Sequence, residues 1–407
     1  MTSQSVALPP AVALPAFRYA PLYWMALGTF AIGTEGFMIA ALLPSVASDL
    51  RVSLQAAGEL MAIFAITYAL SSPILTALTG SLDRRKVLML SMAGFTLANL
   101  VAAAAADYGS LAFARVLLAV AAGLFTPNAN ALAGVLVPPE RRGRALAIVN
   151  GGLTVAVALG VPLGAFVGNH FGWRMTFVGV AALSAIALSG LLFGMPRGIG
   201  KDLPVAGLRL RLATLRQPAV FSTLVVTTLW AMGTYTIYTY VAPYFTTVVG
   251  LEPMEIGYML FLWGVAAFAG VFLGGLINDK FGARRVMLIA LPALALALLS
   301  LSAVAYAVPA GAVLFVVIPA VIVWGVAAWG FFPSQQARLI GIAGVSGASV
   351  VLSLNASFMY LGFSLGAGLG SVVLTHGGVA DLGWVGALSV AASLTLGLLQ
   401  KAGGASK

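Results

Sequence analysis

A chain of 407 residues that is 61% apolar and only 8% charged, with a mean hydropathy of +1.04, has too little polar surface to coat a soluble globule. Its net charge of +10 comes from 21 Lys and Arg against 11 Asp and Glu, and the lack of cysteine excludes disulfides, thiolate metal sites and thiol chemistry. The chain is an integral membrane protein, and its continuous Ala/Leu/Gly-rich runs, in place of alternating ten-residue strands, exclude a β-barrel.

About 20 apolar residues at 1.5 Å per residue cross roughly 30 Å of hydrocarbon. Twelve runs reach that length, at 21–45, 54–79, 87–106, 110–136, 144–169, 174–195, 219–248, 255–277, 285–306, 311–335, 345–374 and 379–400. The expected fold class is therefore all-α, a polytopic bundle of twelve transmembrane helices. Residues 1–17 carry no charged side chain and no basic n-region and run into a full-length span, so they read as a cytoplasmic tail and not a cleaved signal.

Helix 1 carries one carboxylate, Glu35, about 14 residues and roughly 20 Å into the span, near the midplane. A charge there costs a few kcal/mol even on lenient scales, so it must face a cavity or a partner, and a proton-carrying role is expected. The structural alternative is a hydrogen-bonded Glu that glues helix 1 to a neighbour. No other acid competes: Asp49, Glu59, Asp107, Glu252, Glu255 and Asp381 fall at one end of the spans, and Asp83, Glu140, Asp202 and Asp279 at the other.

The turn after helix 2 holds Gly80, Asp83, Arg84 and Arg85. Helix 4 holds Arg115, the only basic residue inside a span, with Ala119, Ala122, Thr126 and Asn130 near the same face. A guanidinium does not deprotonate, so Arg115 must be paired or hydrated, and an anchor snorkelling outward is the structural alternative. Helix 5 offers Asn150 and Thr154 one turn apart, then Gly160, Pro162, Gly164 and Gly168; glycines every four residues allow close helix packing.

Residues 197–217 cannot span and read as a cytoplasmic linker between halves 1–196 and 218–407. In the second half, helix 7 carries Tyr235 and Tyr238, the turn after helix 8 carries Gly275, Asp279, Arg284 and Arg285, helix 10 carries Gln335, and helix 11 carries Asn355 and Met359. The tyrosines and polar side chains are candidates for a cavity wall, since apolar walls with few polar anchors suit amphipathic small molecules. For each of them an interhelical hydrogen bond or lipid contact is the plainer reading.

The halves echo one another. Gly33-Thr34 recurs as Gly233-Thr234, each followed by a proline, Pro44 and Pro243; Pro127 in helix 4 matches Pro333 in helix 10, and Asn150 in helix 5 matches Asn355 in helix 11. Parallel repeats of this kind place a central cavity between halves. With both termini inside, the inner face collects nearly all the Lys and Arg, and the outer face only Arg51 and Arg174. The positive charge thus reports topology and anionic lipid, not nucleic acid. His170 and His376 fall at outer loops, and neither a Walker phosphate loop nor a His/Glu metal pair is present, so no metal, cofactor, ATPase or other enzyme chemistry is expected.

The Gly/Asp/Arg turn and its echo, Arg115, Gly160-Val-Pro162-Leu-Gly164 and Gly172-Trp173-Arg174-Met-Thr-Phe177 together resemble the major facilitator superfamily over essentially the whole chain. Gly33-Thr34-Glu35 with Leu43-Pro44 is similar to its twelve-span drug:proton antiporters, the branch of bacterial multidrug, chloramphenicol-type and sugar-efflux permeases. The resemblance implies two pseudo-symmetric six-helix halves in the bacterial inner membrane, working as a monomer. It implies export of a small organic molecule driven by protons, with Glu35 and Arg115 in proton coupling, the two Asp/Arg turns as cytoplasmic latches, and Gly160, Pro162 and Gly164 sealing the cavity. The first turn departs from the family pattern, because Asp83 is followed directly by Arg84 and Arg85. A proton symporter, a uniporter or a non-transporting receptor remain as alternatives.

Overall fold

The computed structural model describes residues 19–196 and 207–400, and is helical nearly throughout. The predicted tail, residues 197–206 of the predicted linker and the C-terminal 401–407 lie outside the described residues. Among the described residues, twelve helices are long and apolar enough to cross a membrane: Ala20–Leu50, Leu54–Leu78, Arg84–Ala103, Tyr108–Val135, Arg142–Phe171, Trp173–Gly194, Pro218–Tyr238, Pro253–Phe281, Ala283–Ala307, Ala310–Gly344, Gly347–His376 and Val379–Leu399, numbered 1 to 12 below. An even number of crossings puts residues 19 and 400 on one face, here called the near face; the opposite one is the far face.

Short polar devices start and stop these helices. Ser53 caps helix 2 by accepting from Ala56 N–H at 3.1 Å, and Asp107 caps helix 4 in a capping box with Ser110 at 2.8 Å. Helices 10 and 11 run together except at Gly344, whose φ of 73° is the left-handed conformation that glycine adopts without strain. Helix 10 continues to this glycine, nine residues beyond the predicted end at 335.

Two prolines reshape their spans. In helix 5 a wider π-turn over Ala156–Gly160 directly precedes Pro162, absorbing the missing donor and the ring clash of proline. Helix 7 does not run unbroken from 219 to 248 as predicted. Its first part ends at Tyr238, and the chain resumes as Val241–Tyr244 and a π-turn Phe245–Val249, because Pro243 cannot bond to, and crowds, the carbonyl of Thr239 four residues earlier.

The two sets of six helices use the same pairings. Helix 1 packs on 5 and 6, helix 3 on 4 and 6, and helix 2 on 4; correspondingly, helix 7 packs on 11 and 12, helix 9 on 10 and 12, and helix 8 on 10. The closest approaches are made by glycine. Gly160 meets Thr34 and Gly164 meets Met38 between helices 5 and 1, while Gly362 and Gly366 lie on the backbone of helix 7 at Thr228 and Met232. Between sets, helix 2 meets helix 11 and helix 8 meets helix 5, again a symmetric pair. The short helix Leu208–Leu215 lies against helices 2 and 11 at the near face.

Candidate functional site

Glu35 is the sixteenth of the 31 residues of helix 1, the middle of the span, and is fully buried. Helix 1 can sit this deep because Gly33 lets Leu153 and Ala156 of helix 5 approach its backbone. The Glu35 carboxylate accepts from Nη1 of Arg115, itself fully buried on helix 4. Helix 2 fixes the guanidinium from the other side: Nε donates to the Leu60 carbonyl at 3.1 Å, and the cation lies 4.4 Å from the centre of the Phe64 ring. Arg115 is therefore a paired interior residue. The alternative of an anchor snorkelling to the interface is overturned, because a carbonyl and an aromatic face of helix 2 hold its long side chain inward.

The pair is incompletely satisfied. Glu35 Oε2 and Arg115 Nη2 are buried with no hydrogen-bond partner among the described residues. Two charges in a low-dielectric interior are stable only while they neutralise each other. A proton delivered to Glu35 removes its charge and with it the attraction that fixes Arg115, so this arrangement can couple protonation to a local rearrangement.

Beside the pair stands an aromatic wall shared by both sets. Phe37, half a turn beyond Glu35, packs against Tyr235, Tyr238, Trp329 and Phe363 at centroid distances of 6.0 to 6.3 Å. Tyr68 of helix 2 stacks on Tyr360 of helix 11 at 3.8 Å, and Tyr235 stacks on Phe363 at 3.6 Å. Of the predicted wall residues, Tyr235, Tyr238 and Met359 are buried in this central region. Phe37, Phe64, Tyr68, Trp329, Tyr360 and Phe363 went unrecognised in the sequence. Their signal was available: they are large aromatics in the middle of spans, where interfacial belts cannot account for them.

The polar candidates divide. Gln335 donates to the Thr223 carbonyl at 2.7 Å and to Thr227 at 3.1 Å, and Asn355 accepts from Thr227 at 2.7 Å. This knot joins helices 7, 10 and 11, the plainer of the two readings. Asn150 is exposed and accepts from Asn130 at 3.3 Å, with half-buried Thr154 one turn along. The hydrogen bonds between sets lie at the midplane or beyond it towards the far face. Tyr238 donates to the Phe37 carbonyl at 3.2 Å, Ser364 to Ala62 at 3.1 Å, Asn169 to Pro253 at 3.3 Å and Gln55 to Leu374 at 3.4 Å. The sets are thus joined by hydrogen bonds from the midplane to the far face, while Asn150, towards the near face, is exposed.

The two Asp/Arg turns differ. Asp83 caps helix 3, accepting from Arg85 N–H at 2.9 Å; Arg84 turns inward to Asn128 of helix 4 at 2.7 Å, and Arg85 reaches the Leu192 carbonyl of helix 6 at 2.9 Å. Gly80 lies at the head of this turn. In the second turn Gly282 with φ 81° starts helix 9, Asp279 sits exposed in the last turn of helix 8, and it caps nothing. Arg284 and Arg285 are exposed, and Gly275 faces open space. Neither aspartate forms an ion pair among the described residues. At the far face, by contrast, Arg174 pairs with Asp49 at 2.5 Å and donates to the Ala105 carbonyl at 2.8 Å, tying helices 1, 3 and 6. No group of three His, Cys, Asp or Glu that could hold a metal occurs among the described residues.

A family model described as Major Facilitator Superfamily matches residues 25–367. YbcL of Bacillus subtilis strain 168, an MFS-type transporter, is 34% identical, covering 93% of this chain and 95% of its own. The inner membrane transport protein YdhP of Escherichia coli K12 is 33% identical over 88% of this chain and 89% of its own. A chloramphenicol resistance protein of Streptomyces lividans is 35% identical over 68% of this chain and 72% of its own. Among solved structures, the nucleoside transporter NupG shares 14% identity at a TM-score of 0.72, covering 94% of this chain and all of that one. A bacterial homologue of the lysosomal transporter Spinster, in an inward-facing conformation, shares 18% at 0.64, covering 94% and 95%.

Proposed function

This chain belongs to the major facilitator superfamily and is a multi-pass transporter of the bacterial inner membrane, and from that premise we propose that it exports small organic compounds in exchange for protons. The observation that carries the proposal is the buried Glu35–Arg115 pair at the centre of helix 1, bordering the aromatic wall between the sets. An acid in a span is functional by default, and this one has a single charged partner whose attraction a proton would cancel.

The near face carries the basic turns, so by the positive-inside rule it is cytoplasmic, and the hydrogen bonds that join the sets lie from the midplane to the opposite face. In this reading an uncharged or amphipathic solute enters past Asn130 and Asn150 and settles against Tyr235, Tyr238 and Met359. Rocking of one set against the other then opens the far face, where the solute leaves and a proton binds Glu35 to be carried back on return. Likeness to a chloramphenicol resistance protein makes an amphenicol the first probe to try. The two Asp/Arg turns and the linker helix would restrain the near face during the cycle, and the glycine contacts between helices 5 and 1 would keep that half rigid and sealed. No resident cofactor takes part, and one chain suffices.

The test is proton movement in inverted vesicles containing the protein, challenged with chloramphenicol, nucleosides, sugars and lipophilic cations. Wild type is expected to move protons in response to its substrate, and Glu35→Gln is expected to be silent. Normal substrate-dependent proton movement in Glu35→Gln would contradict the assignment, and proton flow in the opposite sense would turn the reading to symport.

A further inference from the structure

Three tryptophans of the second set take no part in the scheme above. Trp230, Trp263 and Trp324 are 2%, 2% and 1% exposed, and the indole Nε1–H of each lacks an acceptor among the described residues. An indole N–H can only donate, and a buried donor without a partner costs about 1–3 kcal/mol, which phenylalanine at the same place would avoid. Packing alone therefore does not account for tryptophan here.

Two of the three lie together. Trp263 of helix 8 and Trp324 of helix 10 have ring centroids 5.5 Å apart, and both border the Tyr238 ring, at 4.7 and 6.2 Å. Tyr238 in turn donates to the Phe37 carbonyl across the cleft, so it is one of the side chains that close the two sets onto each other at the centre. The spans of the second set hold no acid near this point: Glu252, Glu255 and Asp381 lie at the far ends of their helices and Asp279 at a near end. This wall offers stacking surface and neutral donors, and no charge.

We propose that Trp263, Trp324 and Tyr238 form a subsite for an uncharged aromatic ligand that carries an exposed oxygen acceptor, such as a nitro, carbonyl or amide group. The ligand ring stacks on the indoles, its oxygen accepts from their N–H groups, and the pocket becomes reachable when Tyr238 leaves Phe37 as the sets part. Solute recognition and proton handling then fall to different sets: donors in the second, the Glu35–Arg115 pair in the first. The inference rests on the exporter reading and names the chemistry of its solute.

The test is binding of radiolabelled chloramphenicol, a neutral aromatic with nitro and amide oxygens, to purified protein in detergent. Trp263→Phe and Trp324→Phe keep an aromatic ring and remove the donor. Each is expected to weaken binding about tenfold, the effect of one hydrogen bond, with a thermal midpoint no lower than that of wild type. Trp230→Phe removes the same atom from an indole packed instead on Phe331 and Phe332, and is expected to bind as wild type does. The Raman band that reports indole hydrogen bonding should shift when chloramphenicol is added to wild type, and by less in either variant. Unchanged affinity in both variants, or the same loss in Trp230→Phe, overturns the subsite while leaving the exporter reading intact. Wild type that neither binds chloramphenicol nor moves protons for any solute in the vesicle panel overturns both.

Discussion

Removing the Arg115 side chain would strand the Glu35 carboxylate in the middle of a span with its only charged partner gone. Truncating one partner of a buried ion pair costs about 3–5 kcal/mol, whereas replacing both by apolar residues of similar volume is often neutral. Arg115→Leu is therefore expected to lower the thermal midpoint in detergent sharply, and the double variant Glu35→Met with Arg115→Leu to recover most of that loss while showing no proton-driven transport in vesicles. A double variant that transports normally would reduce the pair to a structural device. The sequence made Glu35 legible, since it is the one acid far from either end of a span. The position of Arg115 was less so: its place along helix 4 gives a depth, but the Leu60 carbonyl and Phe64 ring that draw it inward belong to helix 2, and no spacing within helix 4 reveals them.

At the scale of helices, glycine and proline decide where backbones touch. Tyr240 stands at the break in helix 7 that Pro243 imposes, fully buried, its ring wedged against Gly58 of helix 2 and Gly370 of helix 11 and its hydroxyl donating to the Ala367 carbonyl at 3.2 Å. A Cβ at either glycine would run into the ring. Gly58→Val should therefore push helix 2 away from helix 7 and weaken closure of the far face. The chain has no cysteine, so spin labels can be placed on Leu54→Cys and Thr375→Cys alone. Their distance distribution is expected to move to longer values in Gly58→Val; an unchanged distribution would show that the wedge does not hold the gate. The proline in helix 7 was visible in the sequence, yet the break was not, because an apolar run of thirty residues reads as continuous and the clash acts four residues upstream.

Across the whole molecule, the repeat at offsets near two hundred residues was enough to place twelve helices in two sets, and the matched pairings of the structure bear that order out. The repeat does not fix how each helix is rotated about its axis. For that reason Gln335 and Asn355, candidates for the wall, turn into a knot around Thr227, while Tyr68 and Tyr360 meet at the centre without having been singled out. The resulting molecule has its two sets joined at the far face, a neutral donor-bearing wall in one set and one fully buried ion pair in the other.

The central claim is that Glu35 carries the coupling proton. It is tested most directly by comparing two modes of chloramphenicol transport in proteoliposomes holding Glu35→Gln: accumulation against a gradient driven by an imposed pH difference, and exchange of labelled for unlabelled solute with no gradient. Exchange close to the wild-type rate with driven accumulation at background is the predicted result, since the substrate path survives and only the proton site is lost. Driven accumulation at the wild-type rate would contradict the account.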